Sequence, residues 1–254
     1  MRTLNTLLTV LALSFPVGLV ACTDDATDTS DADADAAGTG SFDLWQSTDG
    51  WHFHLKAGNG NILLASEAYT SRTGAINGVL AIENNGEDAD MYQVVKDASG
   101  YLLHLVAPNN EIIGFTQTYS SKSNATRAIG SCVHAVTSFV SAQDSDTAGA
   151  RVEIALGAES RFHFNFHAAN GQIVLTSQTY ATEAAAIDGA MSVQDNGTNA
   201  ANYQVLEASG GTYYFNLIAA NGQVIGTSQQ YSTKADATRG RDAVISLVPT
   251  VKVL

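Results

Sequence analysis

Histidines lie at alternate positions of several short, β-rich segments in this chain of 254 residues. Side chains two or four residues apart on a β-strand share one face, so such histidines can bind one metal ion together. The five histidines in question are His52, His54, His104, His163 and His167. A metal site normally needs three or four donors, and no Asp, Glu or Cys accompanies these histidines in every segment. We therefore expect a solvated polar sheet face, without a dedicated metal ion.

Amide and phenol side chains occupy the same alternating positions and enlarge this face. We predict a partner-binding face made of His52, His54, His104, His163, Asn165, His167, Tyr214 and Asn216. Enzyme signatures are missing from the sequence, including the Gly-x-Ser-x-Gly elbow, the His-Glu-x-x-His motif, the phosphate-binding loop and the dinucleotide fingerprint. The sequence nominates no catalytic residue and no cofactor, so we expect a protein that is not an enzyme.

The elements that position these side chains belong to a segment of about forty residues that occurs four times, which indicates a repeat architecture. An aromatic residue or leucine, an alanine, an asparagine and a tyrosine recur at the same spacing in every copy. The four sets are Phe53/Ala57/Asn59/Tyr69, Leu103/Ala107/Asn109/Tyr119, Phe164/Ala168/Asn170/Tyr180 and Phe215/Ala219/Asn221/Tyr231.

Each copy predicts three strands followed by a helix. Two alternating runs are joined by a turn, and Asn-Gly or Asn-Asn then favours a hairpin to the third strand. Beyond the tyrosine the apolar period changes to that of a helix. Ser71, Ser121, Thr182 and Thr233 are the expected N-caps. Pro249 should end the last helix and leave residues 250–254 as a terminal strand.

Apart from the histidines, the recurring residues have structural interpretations. The tyrosine should pack beneath the helix, and the asparagine suits a turn. Cys132 falls in a helical column otherwise filled by aliphatic residues, which predicts a buried thiol.

Copies one and three resemble each other, as do copies two and four, because Ile-x-Gly marks the odd copies and Ala-Thr-Arg the even ones. The segment that was duplicated therefore already contained two repeats. We predict an α+β fold in which four β-β-β-α repeats form two pseudo-symmetric domains, each an antiparallel sheet with helices on one face. The first domain spans residues 41–142, with repeats 41–90 and 91–142. The second spans residues 150–254, with repeats 150–201 and 202–254, and residues 141–149 form the linker.

The stretches from Phe53 to Gly60 and from Phe215 to Gly222, with the Ser and Tyr that follow them, resemble the YegP-like family. Members typically carry two tandem repeats and have no established biochemical activity, so the resemblance implies no catalytic residue. It implies one continuous antiparallel sheet for each pair of units, with the strand after a helix as a candidate to pair across units. The lysine typical of that family survives here only as Lys56.

The N-terminus has the pattern of an exported lipoprotein. Arg2 and an apolar run from Leu4 to Val20 predict a signal peptide over residues 1–21, and the run is too short for a transmembrane helix. Cys22 follows small residues, as in a bacterial lipobox, and is the expected lipidation site. Residues 22–40 contain six aspartates and no large apolar residue, which predicts a disordered acidic tether. We expect a bacterial cell-envelope protein with a lipid anchor, in the outer membrane rather than the inner one.

The formal net charge of −13 disfavours nucleic acid as a partner. The expected partners are the membrane, through the N-terminal lipid, and an envelope protein or glycan. The sequence therefore predicts a membrane-anchored lipoprotein that acts as a non-enzymatic binding or scaffold module. The alternative is an envelope hydrolase with its site between the two domains.

Overall fold

A computed structural model describes residues 38–145 and 149–253. The first half contains β1 (Ser41–Gln46), β2 (Trp51–Lys56), β3 (Ile62–Ala65), α1 (Arg72–Asn85), β4 (Tyr92–Lys96), β5 (Tyr101–Val106), β6 (Ile112–Phe115) and α2 (Lys122–Ser145). The second half contains β7 (Arg151–Leu156), β8 (Phe162–His167), β9 (Ile173–Thr176), α3 (Glu183–Asn196), β10 (Tyr203–Glu207), β11 (Tyr213–Ile218), β12 (Val224–Thr227) and α4 (Lys234–Leu247). Four short 3-10 helices lie at Ala89–Met91, Ala158–Ser160, Ala200–Asn202 and Val248–Thr250.

The strands form two six-stranded antiparallel sheets, and the predicted α+β fold of β-β-β-α repeats is confirmed. Sheet one has the strand order β1-β2-β3-β6-β5-β4, and sheet two has the order β10-β11-β12-β9-β8-β7. The third strands of two units therefore pair at the centre of each sheet. The expectation that a strand following a helix pairs across units was wrong, because β4 and β10 lie at the sheet edges.

The local signals in the sequence act as expected. Ser71, Thr182 and Thr233 accept hydrogen bonds from the first free amides of α1, α3 and α4, and Ser121 does the same for α2. At the hairpin turns Gly60, Gly171, Gly222 and Asn110 adopt positive φ angles, which glycine and asparagine adopt at low cost.

The apolar core of each half lies between the sheet and its helices. Phe53, Phe164 and Phe215 are completely buried and stack on Tyr69, Tyr180 and Tyr231, respectively, with ring centroids 6.0–6.2 Å apart. A Cβ added to Gly189 of α3 would stand 2.3 Å from the Tyr180 hydroxyl oxygen, so this glycine lets the ring approach the helix. The predicted structural role of the tyrosine is confirmed. Cys132 is also buried, and burial raises its pKa to about 12.

The seam between the third strands explains why the repeats alternate. β9 contributes the buried Leu175, whereas β12 has Gly226 in the equivalent place. A Cβ on Gly226 would stand 2.4 Å from a methyl carbon of Leu175, so the packing of Leu175 requires a glycine at position 226. In sheet one Leu64 and Gly114 form the same pair, but a Cβ on Gly114 would stand 3.6 Å from the Leu64 Cβ atom.

Helix α2 is longer than predicted, since it continues through residues 141–145 of the expected linker. Just before this extension the helix packs Phe139 against Phe42, with ring centroids 5.0 Å apart. Gly40, assigned to the tether, is buried against this helix, and its amide donates to the Ser138 hydroxyl at 2.9 Å. The remaining tether residues up to residue 37, the signal peptide and Cys22 lie outside the described residues.

The prediction of a terminal strand was wrong. Helix α4 does end before Pro249, as predicted, but Pro249 sits in the 3-10 helix Val248–Thr250, and residues 251–253 form no strand. Val248 and Val251 are buried in the core of the second half. The Gln194 side chain of α3 donates to the Val251 carbonyl at 2.6 Å, which holds the segment against a helix instead of a sheet edge.

Candidate functional site

The helix-free face of each sheet carries one row of directly opposed side chains that crosses all six strands. In sheet one the row is Asp43, His54, Ala65, Phe115, His104 and Gln93. In sheet two it is Glu153, Asn165, Thr176, Thr227, Asn216 and Gln204. Because opposed residues on paired strands share a face, the predicted partner residues do face away from the helices.

A cluster around Trp45 occupies one edge of this face in sheet one. Trp45 is opposite His52 in the β1–β2 register, and its side chain remains 37% exposed. The His52 ring stacks on the indole at 5.5 Å with an interplanar angle of 18°, and the His54 ring lies 4.3 Å away at 48°. Two imidazoles therefore hold an exposed indole ring in place.

A carboxylate beside this cluster holds His52 in place. Asp49 accepts hydrogen bonds from the Ser47 hydroxyl and from His52, whose Nε2 lies 3.0 Å from its Oδ1. These bonds, first that from Ser47 and then that from His52, lower the pKa of Asp49 to about 2. Asp43 pairs with Lys56 along the same strand pair. The cluster thus combines an aromatic surface with fixed carboxylates.

The two histidines at the centre of sheet one are suited to neutral hydrogen bonding. Burial lowers the pKa of His54, with a further contribution from Lys56, and burial also lowers the pKa of His104. Both rings are therefore mainly neutral at pH 7, with one donor and one acceptor nitrogen each. Within the described part of the chain, neither ring makes a hydrogen bond to another residue. Their polar atoms remain available to a partner.

In sheet two the equivalent row makes hydrogen bonds within itself. The Thr176 hydroxyl donates to Asn165 Oδ1 at 3.0 Å, and the Thr227 hydroxyl donates to Asn216 Oδ1 at 2.9 Å. Asn165 is only 7% exposed and its amide nitrogen lies 3.5 Å from Glu153. A solvated face was expected here, and that expectation was wrong for Asn165, because these neighbours cover it.

His167 also departs from the expected solvated face, since it is 6% exposed. Its Nε2 lies 2.8 Å from a Glu153 carboxylate oxygen, and its Nδ1 lies 3.2 Å from the Gly171 carbonyl oxygen. Both partners are acceptor oxygens, and both ring nitrogens are turned toward protein atoms instead of toward solvent. No cluster of three or more metal-ligating side chains occurs among residues 38–145 and 149–253.

An open groove of about 780 Å³ follows the seam between β9 and β12 on sheet two. These strands are paired directly only at Thr176 and Thr227, and they separate on either side. The lining includes Gln178 and Gln229 at equivalent positions, together with the exposed Ile173 and Val224. The groove is uncharged and nearly two-fold symmetric.

The other predicted partner residues are dispersed over the two sheets. His163 and Tyr214 are half-buried on β8 and β11, at positions equivalent to that of His52. Trp45 was not predicted as a site residue, because tryptophan does not recur at the equivalent position of the other repeats. The available signal was alternation: Phe42 and Leu44 face the core, so Trp45 must face outward, opposite His52.

A family model described as a domain of unknown function, DUF1508, matches residues 47–93, 98–137, 158–204 and 208–254. These matches cover all four repeats. The chain belongs to the DUF1508 family.

Proteins similar to this DUF1508 chain match two of its repeats at a time. One is UPF0339 protein PA0329 of Pseudomonas aeruginosa, 39% identical over 100 residues, which are 39% of this chain and 91% of that protein. Another is UPF0339 protein YegP of Escherichia coli O157:H7, 41% identical over 88 residues, which are 35% of this chain and 80% of that protein.

A solution NMR structure of UPF0339 protein SO3888 from Shewanella oneidensis is 37% identical and covers 41% of this DUF1508 chain and 90% of its own, with a TM-score of 0.39. The names of these relatives state no activity. Separately, none of the helices in the described ranges is long and apolar enough to cross a membrane.

Proposed function

We propose that this DUF1508 protein is a lipid-anchored, non-enzymatic binding module of the bacterial cell envelope. It holds an envelope protein or glycan on the helix-free face of sheet one, at the Trp45 cluster. One observation carries the proposal: the cluster occurs in one repeat only. The residues equivalent to Trp45 in the other repeats are Val95, Ala155 and Leu206.

The repeat fold does not require a tryptophan at this position, since three smaller side chains serve in the other copies. Exposing an indole in water is unfavourable unless a partner covers it, and tryptophan is enriched among the residues that contribute most to binding. Stacking on His52 and His54 holds the ring before a partner arrives, which reduces the entropy lost on binding. These features support a preorganised contact surface.

The test replaces Trp45 by Ala and uses Leu206→Ala, at the equivalent position of repeat four, as the matched control. Each protein is immobilised and exposed to envelope extract, and each is also sedimented with insoluble cell-wall glycan. We expect Trp45→Ala to reduce capture at least tenfold, on the order of the loss of one buried aromatic contact. Leu206→Ala should retain full capture.

The two measurements, capture from envelope extract and sedimentation with glycan, identify different partners. Loss of specific protein bands identifies a protein partner, and loss of co-sedimentation identifies a glycan. Equal capture by wild type and by Trp45→Ala in both arms would contradict the proposed face. Circular dichroism of both variants establishes that the fold is retained.

The anchor rests on Cys22, which follows Leu19, Val20 and Ala21. A single acyl chain gives weak membrane binding, whereas two or more chains hold a protein stably. In a bacterial host, wild type should incorporate labelled palmitate and fractionate with membranes. Cys22→Ser should lose both properties, whereas Cys132→Ser should keep them, because that thiol is buried.

The alternative prediction, an envelope hydrolase, places its site between the two halves. At that boundary apolar side chains pack together, Arg72 forms ion pairs, and Glu83 Oε1 is buried without a hydrogen-bond partner among the described residues. These features do not by themselves indicate a hydrolytic site. Screening the purified protein against envelope esters, amides and glycosides is the direct check. Turnover by wild type would replace the binding proposal.

A further inference from the structure

The two halves contact each other through helices α1 and α3. Ile76 of α1 packs against Ala184 and Ile187 of α3 in a separate apolar cluster. The N-terminal residue of α1, Arg72, reaches Asp195 near the end of α3, so the two helices run antiparallel. This arrangement gives the contact an apolar centre and two polar ends related by the pseudo-symmetry of the halves.

At one end the charges are complementary. Arg72 Nη1 lies 2.6 Å from Asp195 Oδ2, and the same guanidinium also pairs with Asp188. The Thr73 hydroxyl donates to Asp188 at 2.6 Å. The guanidinium carbon of Arg72 lies 5.6 Å from the centre of the Trp51 ring. This end is a fully partnered ionic contact.

At the other end the charges have the same sign. Glu183 begins α3 at the position equivalent to Arg72, and its charge acts on Glu83 near the end of α1. Glu83 Oε1 is buried and has no hydrogen-bond partner among the described residues. The equivalent residue in the second half is Gln194, whose amide does have a partner, the Val251 carbonyl.

A buried carboxylate without a donor is unfavourable when ionised. Burial and then the charge of Glu183 raise the pKa of Glu83 to about 7. No compensating cation pairs with Glu83 from the neighbouring elements in the described chain: Lys122 and Arg127 of α2 are exposed, and Arg72 is occupied at the opposite end. Beneath α1 the strands present the apolar core.

We propose that the contact between the two halves is a pH-dependent device in which Glu83 and Glu183 loosen the α1–α3 contact as the pH rises to neutral and above. In acid, protonated Glu83 is neutral and the helices stay packed. At higher pH the two carboxylates repel each other, and opening exposes Glu83 to water. The Arg72 end and the apolar centre act as the hinge that keeps the halves associated.

The direction follows from proton linkage. When the contact opens, the pKa of Glu83 returns from about 7 toward its ordinary value of 4.5. The closed state therefore binds more protons, and its advantage falls as the pH rises from 4.5 to 7. Over this interval the opening equilibrium should increase by roughly a hundredfold, and above pH 7 it should level off.

The test measures hydrogen exchange of α1 and α3 amides in the full-length protein between pH 5 and 8, corrected for the intrinsic pH dependence of exchange. Strands β5 and β11 supply the internal reference. In wild type, protection at the helix contact should fall by roughly a hundredfold relative to these strands. Glu83→Gln, which installs the side chain found at position 194, should show constant protection at the closed level.

A second variant provides an independent test if Glu83→Gln folds poorly. Glu183→Arg reproduces the Arg72 end and supplies a cation to Glu83, so protection should remain high at pH 8. A carboxyl carbon NMR titration of wild type should show Glu83 titrating near pH 7. Constant protection in wild type, or the same pH dependence in wild type and both variants, would overturn the proposal.

Discussion

Across sheet one the central outward row places His54 and His104 around Ala65 and Phe115, whereas across sheet two the same positions hold two asparagines around two threonines. In sheet two each threonine donates to its neighbouring asparagine, so both asparagine oxygens have partners within the row. In sheet one the imidazoles keep free polar atoms beside an exposed indole. The same backbone thus carries one row with internal hydrogen bonds and one row whose two histidines make none within the described chain.

Repeat symmetry is preserved where the backbone demands it and broken at the Trp45 cluster. Residues that set turns, caps and core packing recur in all or most copies. Trp45, with its two imidazoles, does not recur. In a repeat protein without enzyme motifs, the departure from symmetry is therefore the more informative signal.

The largest expected difference between the sheets concerns their central seams. Gly226→Ala should destabilise the protein by about 1–3 kcal/mol, because the new Cβ overlaps the buried Leu175. Gly114→Ala should cost less than about 1 kcal/mol, since its nearest side-chain atom, on Ile82, lies at 3.4 Å. Urea unfolding of both variants measures the difference.

A double-mutant cycle sharpens this prediction. Combining Gly226→Ala with Leu175→Ala should cost less than the sum of the two single changes, because the clash disappears. Additive costs would mean that the seam is not packed as described.

The next effect compares the two rows directly. Asn165→Ala should cost about 1–2 kcal/mol, because the Thr176 hydroxyl loses its acceptor in a covered site. His54→Ala at the equivalent position should cost about 0.5 kcal/mol, because its ring nitrogens lack protein partners. Thermal or urea unfolding at pH 7 distinguishes them. Equal losses would show that the two rows do not differ in the way described.

The smallest effect is a difference in acid sensitivity. The hydrogen bond from His167 lowers the pKa of Glu153, so the folded protein gains stability above pH 4.5 and loses it as the pH falls through the lowered pKa. Asp49 in sheet one has its pKa lowered from 3.8 to about 2, so its contribution is lost only between those values.

Two variants separate these windows. Glu153→Gln should flatten the decline of the urea midpoint that begins near pH 4.5, whereas Asp49→Asn should flatten only the decline below pH 3.8. If wild type and Glu153→Gln lose stability in acid in the same way, the hydrogen bond between His167 and Glu153 does not contribute to acid sensitivity.

Much of the fold could be predicted from local chemistry. Ser71 and its equivalents mark helix starts, Asn-Gly marks hairpins, and the spacing to Tyr69 defines the unit, because each of these signals acts within a few residues. The end of α2 could not be predicted, since its last turns depend on Phe42, a residue distant in sequence. The structure of the terminal segment was predicted wrongly for the same reason, because Gln194 holds it through a long-range hydrogen bond.

The candidate site was predicted as a face but not as a cluster. Alternation placed the histidines and asparagines outward, as the strand register shows. Burial of Asn165 and His167 depends on cross-strand partners, which a single sequence does not reveal. The α1–α3 contact was equally invisible, because Arg72 and Glu83 look like ordinary surface charges on an amphipathic helix until the facing helix is in place.

The seam between third strands restricts how such a chain can grow. A unit that carries Leu64 or Leu175 pairs its third strand with that of a glycine-bearing unit, and at Gly226 an added Cβ would overlap Leu175. An odd number of copies would leave one strand uncovered, and its backbone groups would be open to aggregation. Lengthening by duplication is therefore favoured in steps of two units.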